Sequence, residues 1–404
     1  MYSYQYSSLS VDEVLCNGNT MGTLFRMLFK STIILWYSIF NLIGEETSSA
    51  RALTINTKGN GLSSLHKVRN TDNLNSTTRT LFGGTKRGLV LQYRLDDVDK
   101  SVVLIKEYQT PVFNRFPIYS MISRETNNGI TELFCAGGDR YISVWQLSTN
   151  NLEFKQRLGP HTGWVKDVAL DSQRGLLYSI GCNCIETWGL TETMEKECYH
   201  VSTRSVKSSP QEGSTLSSDV LCMAMQGDES CLYVGGVDGR IHVWSSDVSI
   251  QHPLQSVSAS DGRINVLILA KLSRLLFSTG HGGYVQCRMV SDGGLISSQE
   301  CGSIKLVSST GSKVRVTAAT MIAENHMGAI IVLGTSAGGL HLIKAIIDAD
   351  EVALTEDHSI KMPEIGTNSQ INSIVRIGDV DSTQCSLLVG HSTGMEKIDI
   401  VIYR

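Results

Sequence analysis

The sequence predicts an all-β fold, a seven-bladed β-propeller of four-stranded antiparallel blades, on three observations. One strand–turn–strand pattern recurs seven times between residues 81 and 400. Apolar residues alternate through it with period two, the spacing of a half-buried strand rather than a helix. The composition agrees, with 37 glycines, 6 prolines and 18% charged residues in 404. A coiled coil or long-helix scaffold needs far more Glu, Lys and Arg. The 41% hydrophobic content supports a large core, and a net charge of −4 gives no bulk attraction to nucleic acid or membrane.

The seven hairpins begin at Leu81, Leu133, Leu177, Leu232, Leu276, Ile331 and Leu387. Each runs from an apolar strand through a Gly-rich turn into an alternating strand. The bulky positions that close them are Tyr93, Trp145, Trp188, Trp244, Arg288, Ile343 and Asp399, 43 to 56 residues apart. That is a repeat of about 43 residues with loop insertions in the longer units. The turn glycines supply the positive φ that tight hairpins require.

An apolar strand precedes each hairpin, at 62–68, 118–123, 164–170, 220–225, 264–270, 314–321 and 371–375. A fourth follows most of them, as at 102–107 and 152–157. Such a unit buries its faces only against neighbours, which makes a ring of blades. The last unit ends on its third strand, 395–403, while 51–57 is a spare strand upstream. Pairing the two closes the ring and removes an exposed edge.

The hairpins, together with Gly159-Pro160-His161-Thr162-Gly163-Trp164, resemble the WD-repeat (transducin-like) β-propeller family over about residues 51–404. The resemblance implies a buried hydrogen-bonded set in a blade: a His before it, a Ser or Thr, an Asp in the hairpin turn and a Trp. His161, Ser179 and Trp188 match in the third unit, where Cys182 replaces the Asp. Asp139 with Trp145, and Asp238 with Trp244, match the Asp and Trp positions of the second and fourth units. No unit carries the whole set, the Trp-Asp dipeptide is absent, and no subfamily is identified.

Residues 1–50 fit no blade. Residues 1–20 are Ser/Tyr-rich and read as disordered. Arg26 and Lys30 then precede an apolar run at 31–44, followed by Glu45, Glu46 and small residues. This order is that of a signal peptide displaced from its usual start, and the run is short for a membrane span. Residues 21–50 therefore read as a signal or anchor of a secreted or membrane-tethered binding module, as a docking helix, or as a gene-model artefact. Otherwise a cytoplasmic or nuclear location is expected. The ten cysteines contain no CxxC, and a chain of this length needs no disulfide framework. Two polar stretches, 201–218 and 301–313, read as flexible insertions, the first with a Ser209-Pro210 dipeptide that a proline-directed kinase accepts.

Two GxSxG strings, centred on Ser336 and Ser392, mimic a hydrolase nucleophile elbow. That motif needs a strand–turn–helix context with an acid and a His further on. No His follows Ser392, both strings fall on the hairpin turn, and serine hydrolase activity is disfavoured. Cys182, Cys184, Cys198 and His200 cluster, but the one-residue gap is unusual for structural zinc. His281 and His391 stand in hairpin turns and read as solvated. No catalytic residue, cofactor or metal is expected.

In the family's arrangement the hairpin turns and the loops entering each blade share one face. Here they carry Lys86, Arg87, Arg115, Arg140, Trp164, Lys166, Arg240 and Arg263. A basic surface with an aromatic suits an acidic or phosphorylated peptide. Direct nucleic-acid binding would want a stronger field and interleaved aromatics. The expected function is a non-catalytic protein–protein interaction scaffold or adaptor, a subunit of a larger complex.

Overall fold

A computed structural model describes residues 51–401 apart from 56, 58–60, 69–77, 97–100, 111–115, 149–150, 192–196, 207–218, 227–230, 261, 308–313, 349–350, 358–368 and 378–383. The described residues form seven antiparallel sheets of four strands each. Six blades are continuous in sequence, and their strands run outward in chain order. The innermost strands of blades 1 to 7 are Leu62–Lys67, Ile118–Glu125, Val165–Asp171, Val220–Gln226, Ile264–Ala270, Val316–Asn325 and Ile371–Ile377. In blade 7 the outermost position is taken by Arg51–Ile55, antiparallel to Gly394–Val401 with Ala52 in register with Ile398.

The core is divided among the blade interfaces. Among the described residues seven apolar clusters occur, and each draws its side chains from two neighbouring blades. The cluster of Leu62, Leu65, Leu81, Ile377, Leu388 and Met395 joins blade 7 to blade 1. A linear array of seven blades has six interfaces; the seventh makes this a closed ring. Apolar faces buried on both sides of every sheet account for the low charge content.

Every inner strand breaks register at the same place. The shift falls between Leu62 and Ser64 in blade 1 and recurs at Ile118/Ser120, Val165/Asp167, Val220/Cys222, Ile264/Val266, Val316/Ala318 and Ile371/Ser373. A β-bulge leaves one residue unpaired and re-aims its side chain. The unpaired residues are Ser63, Tyr119, Lys166, Leu221, Asn265, Thr317 and Asn372, and their chemistry distinguishes the blades.

Two expectations need correction. The stretch from residue 201 read as a flexible insertion begins as strand, because Tyr199–Ser205 is the outer strand of blade 3. Gly302–Lys305 is likewise the outer strand of blade 5. Their polar composition reflects a solvent-facing edge, and buried Val206 and Leu306 anchor the ends. Ser209, Arg115 and the whole of residues 1–50 lie outside the described residues. Among the described residues no helix is long and apolar enough to cross a membrane.

Candidate interaction face

Strand direction alternates through each sheet, so the hairpin turns share one end of the ring with the loops that enter the next blade. In blade 4, Gly239 occupies the left-handed position of the turn with φ 72°. Blade 2 puts Arg140 at the equivalent position with φ 70°, and the shorter turn of blade 3 puts Cys182 there with φ 51°. A side chain held in that region costs about 1–3 kcal/mol. The Asp residues steady two of these turns: Asp139 Oδ1 accepts Tyr141 N–H at 3.2 Å, and Asp238 Oδ1 accepts Arg240 N–H at 3.0 Å.

Arg140 is tied to the core through its carbonyl, which accepts the His161 backbone N–H at 2.9 Å and lies 3.2 Å from His161 Nδ1. His161 Nε2 meets Ser179 Oγ at 2.8 Å, and Trp188 Nε1–H donates to the same hydroxyl at 2.9 Å. His161, Ser179 and Trp188 are thus brought together in blade 3. Beside them lies Glu186, whose Oε2 is 3.7 Å from His161 Nε2. Burial lowers His161 to a pKa of about 4 and raises Glu186 to about 7, so at neutral pH the His is uncharged.

The Asp–Trp pairs of blades 2 and 4 are not joined in this way. Trp145 packs edge-on against Tyr108 and Phe154, and Trp244 lies 5.4 Å from the Arg204 guanidinium. Neither indole N–H finds a partner among the described residues. Asp139 instead accepts from Arg157 at 3.1 Å, and Asp238 Oδ2 lies 3.1 Å from His242 Nε2.

With those two acids engaged, the cations of the face stand out. Lys86, Arg87, Arg140 and Arg263 are exposed, and none forms an ion pair among the described residues. Arg240 is half-buried beside Asp238. Between blades 2 and 3 the face is aromatic. Tyr119 and Trp164 have ring centroids 6.1 Å apart with 34° between their planes. Lys166 Nζ lies 4.1 Å from the Tyr119 centroid and 4.5 Å from that of Trp164. Burial lowers the Lys166 pKa while Asp219 and Cys182 oppose it. Trp164 is 52% exposed and Phe116 40%. Phe116, Pro117 and Tyr119 close on Gly138, where a Cβ would meet all three at 3.3–3.5 Å.

Tyr119, Phe116, Asp167 and Glu186 were not singled out by the motif reading. Tyr119 was legible only as the residue standing where other units have Ser63, Asn265, Thr317 and Asn372. Asp167 accepts from Ser120 Oγ at 2.7 Å, Val168 N–H at 2.9 Å and Met223 N–H at 3.0 Å, which joins blades 2, 3 and 4. Its pKa is raised by burial against the pull of those three bonds. With Cys222, Asn265, Ala318 and Ser373 it lines a cavity of about 210 Å³ between the inner strands.

The remaining motifs resolve into structure. Ser336 and Ser392 sit in turns between paired strands, Gly328–Thr335 with Leu340–Asp348 and Gln384–His391 with Gly394–Val401. Neither has the strand–turn–helix setting of a nucleophile elbow. His391, read as solvated, is buried with Nδ1 2.9 Å from Thr393 Oγ1; His281 is exposed. Cys184 turns to the Gly181 carbonyl and His200 to Thr203. Among the described residues no group of three or more His, Cys, Asp or Glu could hold a metal ion.

Comparison with known families matches residues 208–245, the fourth blade through its third strand, to the family model described as "WD domain, G-beta repeat". No curated protein matches the chain.

Proposed function

The chain is a WD-repeat β-propeller, and we propose that it is a non-catalytic scaffold that receives an acidic peptide segment of a protein partner on the hairpin-turn face. Propellers of this family generally bind protein partners. The observation that carries the finer reading is the Tyr119–Trp164–Lys166 cluster, an aromatic pair with a cation over both rings, flanked by unpaired Arg140. A half-exposed Trp held against the tilted Tyr119 ring presents area at little entropic cost, as binding hot spots do. The unpaired guanidinium of Arg140, whose carbonyl is tied to His161 three residues before Trp164, takes carboxylate or phosphate bidentately.

The test is panning of the full chain against a peptide library containing acidic, phosphorylated, neutral and basic sequences. Enrichment of acidic or phosphorylated members, lost in Trp164→Ala and in Lys166→Glu with unfolding temperature unchanged, supports the proposal. Enrichment that survives both substitutions, or favours neutral or basic members, refutes it.

A further inference from the structure

Blade 5 brings two cysteines together at the junction of its third and outer strands. Cys287 lies in the strand Tyr284–Met289 and pairs in register with Gly302. Cys301 immediately precedes the outer strand; its backbone N–H donates to the Cys287 carbonyl at 2.9 Å, and its thiol reaches the same oxygen at 3.2 Å. Both side chains pack in the one apolar cluster that blades 5 and 6 share. Cys287 is fully buried whereas Cys301 is half-buried. We propose that Cys301 and Cys287 are a peroxide-responsive dithiol that closes to a disulfide within blade 5.

The asymmetry of the pair assigns the roles. The thiolate is the reactive form of cysteine, and susceptibility to oxidation follows thiolate character and access. The neighbouring Cys287 thiol, aided by the Arg288 charge, holds Cys301 below the ordinary thiol range against its own burial. The neighbouring Cys301 and burial push Cys287 well above that range. Cys301 is therefore the attacking sulfur. It takes one oxygen from hydrogen peroxide: an S–O bond forms, the O–O bond breaks, and the departing hydroxide combines with the thiol proton as water. The Cys287 sulfur then attacks the sulfenic sulfur: an S–S bond forms, the S–O bond breaks, and a second water leaves with the Cys287 proton. Two thiols and one peroxide become one disulfide and two waters.

The bond would close residues 288–300 into a covalent loop. That loop begins with Arg288, which stands where other blades carry Trp and donates to the carbonyls of Ser297, Ser298 and Ser258. Ser258 belongs to the outer strand of blade 4, so the oxidised loop stiffens the contact between blades 4 and 5.

Tryptic peptides 275–288 and 289–305 contain one cysteine each, Cys287 and Cys301. The full chain, treated with hydrogen peroxide and mapped without reduction, is expected to yield these two peptides joined, lighter by two hydrogens than their sum. Dimedone, which traps sulfenic acid, is expected to label Cys301 in Cys287→Ser and to leave it unlabelled in the wild type. Separate peptides in the wild type with Cys301 carried to sulfinic acid overturn the proposal, and that map needs no variant to fold. Equal dimedone labelling of Cys301 in wild type and Cys287→Ser overturns it too.

Discussion

Blades 5, 6, 7 and 1 each carry, at the bulged position of the inner strand, a clip to the next blade that the bulged residues of blades 2, 3 and 4 do not make among the described residues. In the first group the bulged residue is a small donor. Asn265 Nδ2 donates to Val316 O at 2.9 Å, Thr317 Oγ1 to Ile371 O, Asn372 Nδ2 to Leu62 O at 2.6 Å, and Ser63 Oγ to Ile118 O at 2.7 Å. Each bond runs from one inner strand to the first residue of the next. In the second group the same positions hold Tyr119, Lys166 and Leu221, which form no such clip among the described residues; in blade 4 the following residue, Cys222, reaches Ile264 O through its thiol at 3.6 Å instead. Two of the three side chains build the aromatic–cationic surface instead. The same sector carries the non-glycine residues Arg140 and Cys182 in left-handed hairpin turns. One repeat position thus serves cohesion on one side of the ring and exposed surface on the other.

The unclipped sector recovers its cohesion from buried polar keys, above all Asp167, and this difference ranks the expected effects. Asp167→Ala strands the Met223 and Val168 N–H groups and the Ser120 hydroxyl, at a cost on the order of 3 kcal/mol. Asn372→Ala, which removes a single clip at the blade 7–blade 1 junction, costs about 1 kcal/mol. Chemical denaturation of the two variants checks the order. Equal losses would erase the distinction between keyed and clipped sectors.

A second effect separates the sectors by pH. Unfolded His161 titrates near 6.5 and folded His161 near 4, so stability contributed by the neutral ring is lost as pH falls through that window. Glu186 behaves oppositely. Its folded value of about 7 lies above the unfolded 4.5, so the folded chain keeps a proton and stability rises as pH falls from 7 to 4.5. Between 4.5 and 6.5 the two slopes oppose each other. Glu186→Gln removes one of them, and the stability of that variant relative to wild type should rise with pH by up to about 1.4 kcal/mol per unit. Melting curves from pH 4.5 to 6.5 measure it; parallel profiles for the two proteins would mean that Glu186 does not carry the raised pKa.

The blade count and the hairpins were legible because both rest on local signals, alternation and turn glycines, repeated seven times. The His161–Ser179–Trp188 set was legible for a similar reason, since its three residues keep fixed places in the repeat. Asp139 and Asp238 kept their places too, yet with no His positioned before those blades they turned to Arg157 and His242. The outer strands at 199–205 and 302–305 were hidden because a solvent-facing edge strand has the composition of a loop. Tyr119, Asp167 and the thiol pair were hidden for a deeper reason. Their partners lie in the next blade or across a sheet, and no spacing along the chain brings Asp167 to Met223 or Cys301 to Cys287.

Arg140 tests the central claim most directly, because there binding surface and stability are expected to oppose each other. Arg140→Gly relieves a left-handed side chain, which should raise stability by about 1 kcal/mol, and removes an unpaired cation from the face. Asn265→Ala, on the clipped side, should lower stability by about 1 kcal/mol and leave the face intact. The measurement is the affinity of both variants and of wild type for one acidic peptide selected from the library, set beside their melting temperatures. The account predicts a more stable Arg140→Gly that binds weakly and a less stable Asn265→Ala that binds as wild type. Binding that rises and falls with stability in both variants, wherever the substitution lies, would contradict it.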